Sequence, residues 1–204
     1  MAVLGQFRDL DRPDRFVWLR GFEDMPRRAQ ALADFYGGPV WKEHGARAGA
    51  TMIDSDDVLL LRPVDARSGF PDPVAGRSPL SQAPPPASCL LATIYYRDRP
   101  FDEEFAEFFD RRVRPELAGS GAELMACLQT EYAENTFPAL PVRSGENAFV
   151  WFARFPGLDK LSEYPDRLEH SGRWRDEVLP ALSASLSRPP QQLRLAPTAR
   201  SLMR

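Results

Sequence analysis

Repetition at one fixed offset constrains this chain more than any other feature. Phe16-Val17-Trp18 recurs as Phe149-Val150-Trp151, 133 positions later. At the same offset Phe22 matches Phe155, Met25 matches Leu158, Arg27 matches Lys160 and Trp41 matches Trp174. Self-similarity of this kind reports a duplicated structural unit, so the chain is expected to hold two related halves. Residues 64–87, with Pro71, Pro73, Pro79 and Pro84-Pro85-Pro86 among Gly, Ser and Ala, separate them. Such a stretch buries little and favours extended backbone, so it reads as a linker between residues 1–63 and residues 88–204.

The second half carries a whole unit. Residues 89–97 (CLLATIYYR) are β-branched and aromatic and predict a strand. Phe101, Phe105, Phe108, Phe109, Val113 and Leu117 follow at helical spacing. Residues 124–132 and 148–155 predict two more strands. Residues 158–182 predict a helix broken near Pro165 and Gly172, and residues 192–196 a closing strand. The order βαββαβ is the ferredoxin-like arrangement. The first half holds only the later part. It has a hairpin of residues 3–8 and 15–22 across Asp11-Arg12-Pro13-Asp14, and a helix capped by Asp24. After Gly37-Gly38-Pro39 come a second helix over 40–48 and a closing strand over 57–62. An opening strand and helix like residues 88–121 is expected before Met1, or the gap it leaves is filled from another chain. The strands Phe16–Leu19 and Phe149–Phe152 are apolar at every position, which demands cover on both faces. Helices cover one face, and a second sheet is expected to cover the other.

Residues 5–25 (GQFRDLDRPDRFVWLRGFEDM), 35–44 (FYGGPVWKEH), 50–63 (ATMIDSDDVLLLRP) and 146–157 (ENAFVWFARFPG) resemble the NIPSNAP family over nearly the whole chain outside the linker. The resemblance implies an α+β fold: tandem ferredoxin-like repeats forming a dimeric α/β-barrel-type pseudo-dimer, here with the first repeat N-terminally incomplete. The activity of that family is undefined. Its structural relatives include small monooxygenases and haem-degrading enzymes whose substrates lie between sheet and helices, and fold alone does not transfer their chemistry.

Among individual residues, His44 follows Trp41 by three on one helix, so their side chains share a face. The matching position in the second half is Glu177, so His44 belongs to one unit only; it is the candidate base or haem ligand. Arg20 interrupts an apolar strand and must be paired, reach the rim, or meet an anion. Gln6 alternates with apolar neighbours, and Trp41, Trp174 and Tyr95 offer aromatic walls, so Gln6, Arg20, Trp41, Tyr95 and Trp174 are the candidate ligand-binding set. His170 reads as solvated, Arg154 as paired, and Asp54, Asp56 and Asp57 as a solvated turn. Cys89 and Cys127 lack any metal-like spacing and read as buried thiols, and no metal site is expected.

The expected ligand is a small apolar or anionic molecule, bound by a monooxygenase-like or haem-linked oxidoreductase or, alternatively, by a non-catalytic interaction protein; the cofactor is unknown and a homodimer is expected. A net charge of −3 without a basic face argues against a nucleic-acid partner. No run of 18 apolar residues and no signal-like start occurs, so no membrane partner and a cytoplasmic location are expected. Arginine outnumbers lysine 24 to 2, a bias that fits a GC-rich bacterial coding sequence.

Overall fold

Residues 89–97 and 147–155 are apolar at almost every position, and strands of that kind are stable only in the middle of a covered sheet. In the computed structural model, which describes residues 1–71 and 84–204, they are neighbours in antiparallel register from Cys89 opposite Phe155 to Arg97 opposite Asn147. The strands are β1 (Ala2–Asp9), β2 (Phe16–Gly21), β3 (Leu61–Pro63), β4 (Cys89–Arg97), β5 (Glu123–Thr130), β6 (Asn147–Phe155) and β7 (Gln191–Pro197). They form one curled antiparallel sheet in the order β2-β1-β7-β4-β6-β5-β3.

Strands β4 to β7 and their intervening helices make the ferredoxin-like unit. The two ends of the sheet come from the first half: β1 pairs with β7, and β3 pairs with β5. The expectation of two stacked sheets is corrected here. Both halves share one sheet, because its ends offered unpaired strands to one another and joining them satisfies backbone groups that stacking would leave open. Curling then covers the second face. Phe7, Leu90, Ile94, Val150, Phe152 and Leu195 are buried there, with Val17, Leu19 and Leu61 partly buried against them.

Helices α1 (Met25–Gly37), α2 (Pro39–Gly49), α3 (Glu103–Phe108), α4 (Arg114–Gly119), α5 (Leu158–His170) and α6 (Leu179–Ser185) supply the other layer. Shifted by 133, the bounds of α1 coincide with those of α5. Against β4 and β6, the helices bury Phe105, Phe109, Leu117, Leu161, Tyr164 and Trp174.

Several local expectations are modified. The helix after Pro100 is interrupted by a π-helical turn, Phe109–Val113, and the last helical segment by a second one, Trp174–Val178. Each is followed at once by a residue and a proline, Pro115 or Pro180, whose missing N–H leaves the α-type bond unmade. The i→i+5 bonds from Arg114 N–H to the Phe109 carbonyl and from Leu179 N–H to the Trp174 carbonyl take its place. Conversely, α5 runs through Pro165 and ends at Ser171. Buried Leu161, Tyr164 and Leu168 pin it on both sides of the proline, and that burial outweighs one lost hydrogen bond. Residues 57–60 do not join β3; the Val58 and Leu60 carbonyls instead accept single bonds from Arg143 and Glu131 N–H. Residues 72–83 of the expected linker lie outside the described residues. Its first part packs against the sheet, with Phe70 4.9 Å from Phe152 and Ser68 accepting from the Cys127 N–H at 2.8 Å.

Candidate anion-binding site

The hairpin β1–β2 is set by Asp9, whose carboxylate accepts from the Asp11 and Arg12 N–H groups at 2.9 and 3.2 Å and from the Arg15 guanidinium at 3.3 Å. A bulge separates Val3 from Gly5 in β1. The Phe7 ring folds over it, so that a Cβ on Gly5 would lie 2.1 Å from the ring. With Phe7 turned to one face, Gln6 and Trp18 are cross-strand partners on the other, the face that α1 covers. Arg20 follows two residues along and lays its guanidinium 4.7 Å from the centre of the Trp18 ring.

Helix α1 starts where Asp24 Oδ1 accepts from the Arg27 N–H at 2.6 Å, with Pro26 in its first turn. That start places Arg28, Leu32 and Phe35 on its inward face. Arg28 is 3% exposed. Its Nη1 donates to Asn135 Oδ1 at 2.9 Å and to Thr136 Oγ1 at 3.5 Å. Those two acceptors are themselves fixed, Asn135 by donating to the Leu140 carbonyl at 3.0 Å and Thr136 by donating to the Met25 carbonyl at 3.0 Å.

Both acceptors are neutral. Among the described residues neither Arg20 nor Arg28 forms an ion pair, and one Nη of Arg20 is buried with no hydrogen-bond partner. Burial, then the nearby Arg20 charge, lower the Arg28 pKa from its ordinary value, with the Tyr36 hydroxyl acting in the opposite sense. An aromatic wall adjoins the two guanidiniums: Tyr36 stacks on Phe137 at 5.7 Å and meets Trp41 edge-on at 4.8 Å, while Phe35 bridges Trp18 and Trp41. The chemistry on offer is cation-rich and aromatic.

Of the residues expected at the site, Gln6, Arg20 and Trp41 belong to this region. His44 does not: its side chain is 62% exposed on α2, with Nε2 3.7 Å from Glu43. The cause lies one residue on, at Gly45. The Trp41 indole folds over it and leaves no room for a Cβ, so Trp41 turns toward Phe35 and Tyr36 while His44 turns to solvent. The His44 imidazole is therefore open to solvent and lies outside the Arg20–Arg28 cluster. Tyr95 and Trp174 lie in the helix-covered core of the second half, where Tyr95 stacks on Phe149 and burial raises its pKa. Arg154 is paired with Glu123 at 2.8 Å, and Asp57 with Arg143 at 3.1 Å. Two surface clefts lie elsewhere, one of about 430 Å³ beside His170 and Arg167 and one of about 250 Å³ beside Cys127 and Arg114. Among the described residues no cluster of metal-ligating side chains occurs, and no helix is long and apolar enough to cross a membrane. Arg28 does not stand out as a site residue in the sequence. Its signal was an arginine four before Leu32 and seven before Phe35, on the apolar stripe of α1.

Strand order and helix layers define an α+β protein of the ferredoxin-like, α/β-barrel type, its sheet curled and open between β2 and β3. Solved structures similar to it include a NIPSNAP family protein from Agrobacterium tumefaciens str. C58, at 17% identity over 64% of this chain and 100% of that one, with a TM-score of 0.45. A NIPSNAP-like domain protein from Burkholderia xenovorans shares 18% identity over 55% of this chain and 86% of that one, with a TM-score of 0.40. An anthrone oxidase-like protein shares 14% identity over 97% of this chain and 79% of its own, with a TM-score of 0.47. No family model and no curated protein matches the chain.

Proposed function

We propose that this protein binds a small molecule carrying one anionic group on an aromatic or apolar body, with Arg20 and Arg28 holding the anion and Trp18, Tyr36 and Trp41 facing the body. One observation carries the reading: two neighbouring guanidiniums, one of them fully buried, have no carboxylate partner among the described residues. Burying a charge without an opposite one costs several kcal/mol, and an anionic ligand would offset that cost. Planar guanidinium forks suit carboxylate or phosphate oxygens, and the Trp18 ring already stacks on one of them.

Benzoate and inorganic phosphate are suitable probes, read by thermal unfolding and calorimetric titration. Benzoate should raise the melting temperature of the wild-type chain, since a ligand at a hundred times its Kd adds about 2.7 kcal/mol of stability. Arg28→Met should abolish that response while leaving the ligand-free protein as stable or more so, because it replaces an uncompensated buried charge with an apolar side chain of similar length. If neither anion shifts the wild-type transition and Arg28→Met only destabilises, Arg28 is a structural residue and the reading fails. The alternative, a non-catalytic interaction protein, is favoured by a different observation: among the described residues β2 is paired on one side only.

A further inference from the structure

Two hydrogen-bond donors stand idle side by side under α1. The Trp18 indole Nε1 and one Nη of Arg20 are buried, and neither has a hydrogen-bond partner among the described residues. Leaving a buried donor unpaired is costly, and more so when the group is charged. Trp18 and Arg20 alternate along β2 and so share one face of the sheet. The Arg20 guanidinium lies 4.7 Å from the centre of the indole ring, which brings the two unused N–H groups together.

Arg28 adds to the set from the helix. Among the described residues it donates only through Nη1, to Asn135 and Thr136, so the hydrogens on its Nη2 and Nε remain for a ligand. Those two acceptors belong to the loop between β5 and β6. The loop is fastened to α1 by the bond from Thr136 to the Met25 carbonyl and by the stack of Phe137 on Tyr36. The unused donors thus come from the sheet on one side and from α1, with the loop beside it, on the other.

Donors of this kind select their acceptor. Indole and guanidinium N–H groups cannot accept a hydrogen bond, so an alcohol or amide head group would leave its own hydrogens unpaired against them. The charges select further. Two guanidiniums carry two positive charges, and neither is ion-paired among the described residues. A carboxylate neutralises one of them. A phosphate monoester carries close to two negative charges above its second pKa of about 6 and presents three strong acceptor oxygens, which matches both guanidiniums and the indole.

We propose that the head group of the ligand is a doubly charged tetrahedral oxyanion, as in a phosphate monoester, with Trp18 Nε1 joining Arg20 and Arg28 as its third donor. The inference rests on the anion-binding reading above and narrows it to one class of anion. Trp18 then serves twice: its N–H meets the head group, and its ring holds the Arg20 guanidinium in place. Donors arriving from a strand and from a helix suit three oxygens set around a phosphorus better than two in the plane of a carboxylate.

Phenyl phosphate and phenyl sulfate test this, because they share the ring, the ester oxygen and the terminal oxygens and differ by one charge at about pH 8. In calorimetric titrations of the full chain, phenyl phosphate should bind at least about tenfold tighter than phenyl sulfate or benzoate. Trp18→Phe keeps an aromatic ring beside Arg20 and removes the N–H. It should weaken phenyl phosphate about fivefold or more while the ligand-free melting temperature stays the same or rises. Arg20→Met, which removes one of the two charges, should bring phosphate and sulfate to within about threefold of each other. Equal wild-type affinity for phenyl phosphate, phenyl sulfate and benzoate would overturn the inference and leave the anion-binding reading standing. A phosphate preference that survives both substitutions would overturn the roles given to Trp18 and Arg20. Binding of none of the three probes would remove the inference and the reading together.

Discussion

Tyr164 shows how much a single residue's surroundings decide. Its ring meets Phe155 edge-on at 5.1 Å in the helix-covered core, yet its hydroxyl is buried with no hydrogen-bond partner among the described residues. Thr93 shares that condition in the same layer. An unsatisfied buried hydroxyl costs about 1–3 kcal/mol, and removing it without changing ring shape recovers part of that cost. Tyr164→Phe should therefore leave stability unchanged or raise it by up to about 1 kcal/mol in urea denaturation; a loss of 2 kcal/mol or more would reveal a partner for the hydroxyl. Arg28 is the contrasting case. Its neighbours are neutral amide and hydroxyl oxygens and another cation, and no sequence pattern specifies a missing counter-charge.

Caps and breaks decide the elements. Helix α1 depends on the Asp24 side chain, whereas α5, its counterpart at the 133-residue offset, starts at Gly157 with no side-chain cap and is held by packing. Asp24→Ala should cost about 1 kcal/mol of stability. Because α1 carries Arg28, the same substitution should also weaken any benzoate response, measurable as a smaller thermal shift. The start of α1 and its break at Gly37–Pro39 were legible in the sequence, because caps and prolines act within a few residues. The passage of α5 through Pro165 was not, because the force that overrides the proline is burial of Leu161 and Leu168 against strands remote in sequence. The π-helical turns were hidden for a similar reason: Pro115 and Pro180 announce a lost bond but do not say whether the helix breaks or widens.

For the whole molecule, the buried acids predict an alkaline limit to stability. Burial pushes the Cys127 thiol from its ordinary 9.0 up to about 11, and raises Cys89, Tyr95 and Tyr164 as well. Each group binds its proton more tightly in the folded state than in the unfolded one. Their contribution is complete below pH 9.0, where both states are protonated, and is lost as the pH climbs through the folded values. Stability should fall from about pH 9 at up to about 1.4 kcal/mol per pH unit for each group released. Urea midpoints measured from pH 7 to 10.5 check this, and a flat profile across that range would contradict it.

The βαββαβ order of the second half, the hairpin and helices of the first, the buried thiols and the candidacy of Gln6, Arg20 and Trp41 were all determined by the sequence itself, through periodicity, turn chemistry and the 133-residue offset. Those signals are local, or compare one segment with another. Only the tertiary structure decided that both halves share one sheet, that His44 faces water, and that Arg28 joins Arg20 with no carboxylate partner among the described residues. Each of these depends on which groups from distant segments come to lie side by side. Hydrogen-bond satisfaction and charge compensation are settled by those neighbours, and neighbours are a property of the folded chain.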